Sequence, residues 1–84
     1  MRAKMPKLIR TAREKCNVTQ GELAKALDLS SPQYVSNIER GVCPLSAGHF
    51  HRVSKILNVS MNALFMAHVE DYKVTLKEKA GMNQ

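Results

Sequence analysis

Tryptophan is absent from the sequence and the other aromatics are scarce, two Phe and two Tyr among 84 residues. Pockets for organic cofactors are lined by such side chains, so neither a cofactor nor a small-molecule ligand is signalled. Cysteine is as rare. Cys16 and Cys43 stand far apart and outside any CxxC spacing, which argues against a disulfide framework or a zinc site and leaves them as reduced, small apolar fillers. No apolar run reaches the ~18 residues that span a bilayer, and Met1 to Lys7 is basic without the apolar stretch of a secretory leader. A soluble, cytoplasmic protein with no membrane partner is the expectation. HExxH, a nucleophile elbow, a phosphate-binding glycine loop and paired carboxylates are all missing. His49 and His51, two apart, would diverge on a helix, and with His68 they read as surface or core-edge residues. Nothing here points to metal binding or catalysis, and the chain is short for a second domain.

What the chain does have is positive charge. Thirteen Lys and Arg face seven Asp and Glu, giving +6 and a pI near 9.7, a balance that suits an anionic partner such as nucleic acid or an acidic membrane. It also has regular helix punctuation. From Pro6, the residues Leu8, Ile9, Ala12, Arg13 and Cys16 recur at helical spacing, predicting a helix over about 7–16 that Asn17 ends. Thr19 with Glu22 forms a capping box. It opens a second helix from Gln20 to about Leu27, with Leu23, Ala24 and Leu27 inward and Ala24 small enough for another helix to cross closely.

Asp28 and Leu29 make a turn. Ser31 then caps a third helix with Pro32 as its first residue, running to about Arg40 before Gly41; a rival register makes Ser30 the cap and Gln33 its box partner. After a linker holding Pro44, Ser46 caps a fourth helix with Phe50, Val53 and Leu57 inward, closed by Asn58. Ser60 caps a fifth that buries Leu64 and Phe65. Five short helices joined by short turns, with no internal repeat, make an all-α fold. The third helix carries Gln33, Ser36, Asn37 and Arg40 on one side. Tyr34, Val35 and Ile38, on the other, are suited to seating it on the domain.

The segments TQGELAKAL, VSNIERG and LSAGHFHRVSKILNVSMNALF, in this order and near-family spacing, resemble the Xre-type helix-turn-helix domain of the lambdoid phage repressor and Cro family over about residues 7–66. The resemblance implies a five-helix lambda-repressor-like fold with a C-terminal extension, and a bacterial or phage-encoded, sequence-specific regulator of transcription. Its second helix would lie across the backbone of double-stranded DNA while the third enters the major groove, amino end first. Gln33, Ser36 and Asn37 would meet base edges; Gln and Asn each offer a donor beside an acceptor, which fits the N7 and N6 edge of adenine. Gln20, Ser31, Tyr34 and Arg40 would contact phosphates, with Arg52 or Lys55 adding charge. Arg13 and Glu39 match the family's internal ion pair.

The chain departs from the commonest family spacing by one added residue between Leu27 and Val35. Either the turn is longer or the third helix gains a residue at its amino end, which rotates its first positions by ~100°. One short helix reads few base pairs, so a homodimer on palindromic half-sites is expected. Met66, Val69 and Tyr72 are the candidate dimerisation residues. Leu64, Met66, Val69, Tyr72 and Leu76 follow helical spacing, although Tyr72, Val74 and Leu76 also alternate as a strand does; the helix is preferred.

The expected organisation is a basic arm over 1–6, with Arg2 and Lys4 continued by Lys7, that either touches phosphates or hangs in solvent, the domain over 7–66, an extension over 67–79 and a frayed tail over 80–84. In size the chain resembles the small stand-alone members, restriction-modification controller proteins among them. Two rival functions are a protein-interaction module such as an antitoxin, using the face from Met66 to Leu76, and an enzyme, for which no residue constellation is present.

Overall fold

The computed structural model describes residues 4–82, with side chains through Lys73 and at Leu76. Helix α1 spans Lys4–Lys15, α2 Gln20–Ala26, α3 Pro32–Glu39, α4 Phe50–Leu57 and α5 Met61–Met82. No strand occurs among the described residues, and the all-α expectation holds.

Helices α1 to α4 all end the same way, and the residues explain it. Each is followed by a residue in the left-handed conformation, Asn17 (φ 56°), Asp28 (φ 62°), Gly41 (φ 76°) and Asn58 (φ 54°), the types that tolerate it best. The next amide, of Val18, Leu29, Val42 or Val59, turns back to the carbonyl of Arg13, Ala24, Asn37 or Ser54, which satisfies an orphan carbonyl at each end. Val18, Leu29 and Val59 then fold against the core. Val42 does not, and is 61% exposed. The amino ends are as specific: Thr19 and Glu22 close the capping box before α2, and the Ser60 hydroxyl accepts the Ala63 amide before α5. Ser46 caps a 3-10 turn, Ala47–His49, that leads into α4 rather than α4 itself.

Between them the helices bury Ile9, Leu23, Leu27, Val35, Val53, Leu57 and Leu64 almost completely, each worth about 1.5–3 kcal/mol against exposure. Helices α2 and α3 form one packed unit, braced by α1, while α5 lies along α1 and α4. Ala24 is 2% exposed, as a position at a close crossing must be.

Several expectations are corrected. Helix α1 starts at Lys4, so residues 4–6 are its first turn and not part of an arm. The cause lies far along the chain: the buried carboxylate of Asp71 accepts the amides of Lys4 (3.0 Å) and Met5 (2.9 Å), serving as a cap, while Met5 enters the core. Phe65 is 56% exposed. The buried face of α5 is Leu64, Ala67 and Asp71, and one residue further turns ~100° away. Tyr34, half exposed, sits on the flank of α3 and does not seat it. Cys16 is exposed, its thiol donating to the Leu57 carbonyl at 3.3 Å, and is no core filler; Cys43 is half-buried against the core. Helix α5 runs on through residues 67–82, so the strand alternative falls and Ala80 to Met82 are helical. Arg2 and residues 83–84 lie outside the described residues.

Candidate nucleic-acid interface

The connection between α2 and α3 runs over residues 27–31. Ser30 and Ser31 both precede the helix, and Pro32, three residues before the fully buried Val35, opens it. Ser31 occupies the cap position in extended conformation without a side-chain cap bond. The Ser30 register fails, since the Gln33 side chain reaches along the helix to Asn37 and not back to a cap amide. Val35 (0% exposed) and Ile38 (6%) fix the rotation of α3. At 100° per residue, Gln33, Ser36, Asn37 and Arg40 then fall on the opposite face.

These side chains are not independent. The Gln33 Nε2 donates to Asn37 Oδ1 at 3.0 Å, and an Arg40 guanidinium N–H donates to the same oxygen. The sequence reading, in which each amide presents its own donor beside its own acceptor, missed this linkage.

Behind α3 stands the expected ion pair. Arg13 Nε donates to Glu39 Oε2 at 2.6 Å and its terminal nitrogens to Glu39 Oε1 at 3.1 Å and to the Val18 carbonyl at 2.9 Å. The side chains are 13% and 4% exposed. The hydrogen bonding to Glu39 raises the Arg13 pKa above the ordinary arginine value, outweighing the opposing effect of burial. Gln20 Nε2 also donates to Glu39 Oε1, at 3.2 Å. One of the Gln20 N–H groups is therefore committed to the protein, and its expected phosphate contact falls to what remains. At the same junction the Thr19 amide, then its hydroxyl, lowers the Glu22 pKa.

Arg10, Arg13, Gln20, Ser36, Glu39 and Arg40 line a polar cleft between α1, α2 and α3. Arg10 was missed by the sequence reading. It lies 65% exposed beside Glu14, one turn before Arg13, and that i, i+3 relation was the available signal. Arg52 and Lys55 are exposed on α4.

On α5, Met66 and Tyr72 are exposed and Val69 half-buried. The structure adds to them: Phe65, Val69, Tyr72 and Leu76 follow one another at steps of four, three and four and share a stripe, with Met66 beside it. Among the described residues no cluster of three or more His, Cys, Asp or Glu could hold a metal, and no described helix is long and apolar enough to cross a membrane. His68 stands edge-on to Phe50, ring centroids 5.9 Å apart.

A helix-turn-helix family model matches residues 9–64, two thirds of the chain. The chain belongs to the Xre-type helix-turn-helix family. Searches of the curated proteins and of the solved structures found no significant match. The family is one of DNA-binding transcription regulators, and in this helix-turn-helix protein α2 and α3 are the motif. The matched span stops at Leu64, so the apolar stripe on α5 lies beyond it.

Proposed function

We propose that this helix-turn-helix protein is a sequence-specific transcription regulator that binds palindromic DNA as a homodimer, placing α3 of each protomer in a major groove. The observation that carries the reading is the seating of α3. Val35 and Ile38 are spent inward, so Gln33, Ser36 and Asn37 face out as base-contacting candidates. Ser31 and Tyr34 flank them, with Gln20 at the cleft, as candidates for phosphate, while the Arg40 guanidinium donates to Asn37. A charge of +6 supplies the electrostatic attraction.

Selection of bound sequences from a random duplex pool tests this directly. Two inverted half-sites about one helical turn apart are expected. Asn37→Ala should then weaken the selected site by about 1–3 kcal/mol while sparing random DNA; equal loss on both would remove the base-reading role.

The dimer seam is assigned to the α5 stripe, with Val69 and Tyr72 at its centre, Phe65 and Leu76 extending it and Met66 beside it. Four apolar side chains at a 4-3-4 spacing form the narrow seam two helices use to pair. Tyr72→Glu should give a monomer in sedimentation that binds a single half-site. The same stripe is also what a protein-interaction module would use. Failure to shift any genomic fragment at low or high salt would favour that second reading.

A further inference from the structure

We propose that Arg40 is a positioning residue for base reading. It fixes the side-chain amide of Asn37 so that α3 offers the groove one split pair, the Asn37 Nδ2 donor and the Gln33 Oε1 acceptor, instead of two amides free to turn over. The inference rests on the major-groove reading of α3.

A guanidinium carries five donors and no acceptor. The Asn37 atom that faces Arg40 must therefore be the oxygen, whichever way the amide would otherwise settle. Gln33 reaches that same oxygen at 3.0 Å, so the Gln33 atom there must be Nε2. One fixed charge thus sets two amides in sequence. Residues 33, 37 and 40 stand at i, i+4 and i+7, on one face of the helix.

Two further features hold the array. The Asn37 backbone is pinned, since its carbonyl accepts the amides of Val42 (2.8 Å) and Cys43 (3.4 Å) as the chain leaves α3. Arg40, at the C-cap, carries its cation where the helix end favours one. The adjoining carboxylate does not draw it away, because both Glu39 oxygens already accept from Arg13 and one also from Gln20.

A free amide can rotate by half a turn and accept either order of donor and acceptor on a base. The held pair cannot. The base facing Asn37 must then present an acceptor, which guanine, adenine and thymine do. The base facing Gln33 must present an exocyclic amino group, as only adenine and cytosine do in the major groove.

The test uses the full chain, Arg40→Met and Arg40→Lys. In the DNA-free proteins, heteronuclear NOEs of the side-chain amides should show Asn37 and Gln33 ordered in the parent, mobile in the Met variant and again ordered in the Lys variant, which also only donates. Thermal melting should fall only slightly in Arg40→Met, which loses the cation at the helix end, and should not change in Arg40→Lys, which keeps it. In pool selection the parent should hold adenine or cytosine opposite Gln33. Arg40→Met should relax that preference by about tenfold, with the salt dependence unchanged, and Arg40→Lys should restore it. Amides equally ordered in the parent and Arg40→Met would overturn the proposal, whatever DNA does. So would a uniform loss on all sequences with the salt slope lowered by about one, which marks a phosphate contact. A parent that selects no sequence, with its amides ordered, strikes the major-groove reading itself and takes this inference with it.

Discussion

Removing the Glu39 carboxylate is the most severe test of how α3 is held. In Glu39→Ala the Arg13 guanidinium keeps one acceptor, the Val18 carbonyl at 2.9 Å, and loses both contacts to Glu39, while Gln20 loses its own. With side chains 13% and 4% exposed, the pair is close to buried. Orphaning one member of a buried pair costs about 3–5 kcal/mol. The retained Val18 contact and the residual exposure of Arg13 place the expectation near the lower end, about 3 kcal/mol. At 0.05–0.15 kcal/mol per residue, a domain of this length has a total stability of only about 4–13 kcal/mol, so the variant should lose a large share of it.

Urea unfolding followed by far-UV circular dichroism reads the loss, and the melting temperature should fall by on the order of 15 °C. The double variant Arg13→Met with Glu39→Leu separates an orphaned charge from mere truncation. It should recover most of the loss, because two apolar groups leave nothing uncompensated. A cost below about 1 kcal/mol for Glu39→Ala would place the pair with ordinary surface salt bridges and refute the reasoning. Losses that simply add in the double variant would refute it equally.

Gly21 is in the first turn of α2, and a Cβ there would meet Pro32 Cγ at 3.7 Å and Thr19 Oγ1 at 3.9 Å, ordinary contact distances. Gly21→Ala should therefore stabilise by about 0.5–1 kcal/mol in thermal melts, and a lower melting point would mean the α2–α3 contact cannot accept a methyl. Asp71→Ala should cost about 1–2 kcal/mol and speed hydrogen exchange at the Lys4 and Met5 amides; unchanged exchange there would deny Asp71 its capping role. For pH, the Thr19 amide holds the Glu22 carboxyl below its ordinary value. A depressed folded-state pKa contributes stability that is fully present above the unfolded value and is lost as pH falls through the folded one. An NMR titration should find Glu22 at its ordinary pKa in a Glu22 peptide and lower in the protein, and equal values would exclude the box in solution.

Much of this was legible along the chain, and the reason is locality. The stops at Asn17, Asp28, Gly41 and Asn58, and the box of Thr19 and Glu22, act within one helical turn, so residue types alone predict them. The inward rows Leu23, Ala24 and Leu27, and Phe50, Val53 and Leu57, follow from helical period, and Val35 with Ile38 already named the outward face of α3. Arg13 and Glu39 were paired through family resemblance, not spacing.

What escaped the sequence depends on partners far away or on side-chain choice. Nothing near Lys4 announces a helix start, because the cap is a carboxylate 67 residues on. Phe65 and Leu64 are equally apolar neighbours, and only the seating of α5 against α1 and α4 decides which is buried. Gln33, Asn37 and Arg40 were named as separate contacts. Their shared oxygen appears only once three rotamers are chosen together, a matter of side-chain geometry that residue identity leaves open. The sequence by itself therefore determined five helices, the left-handed stops after α1 to α4 and which face of α3 turns outward, since each depends on one turn of backbone. Tertiary structure alone decided where α1 begins, how α5 is rotated and how the reading face is wired, since each requires groups brought together by the finished fold.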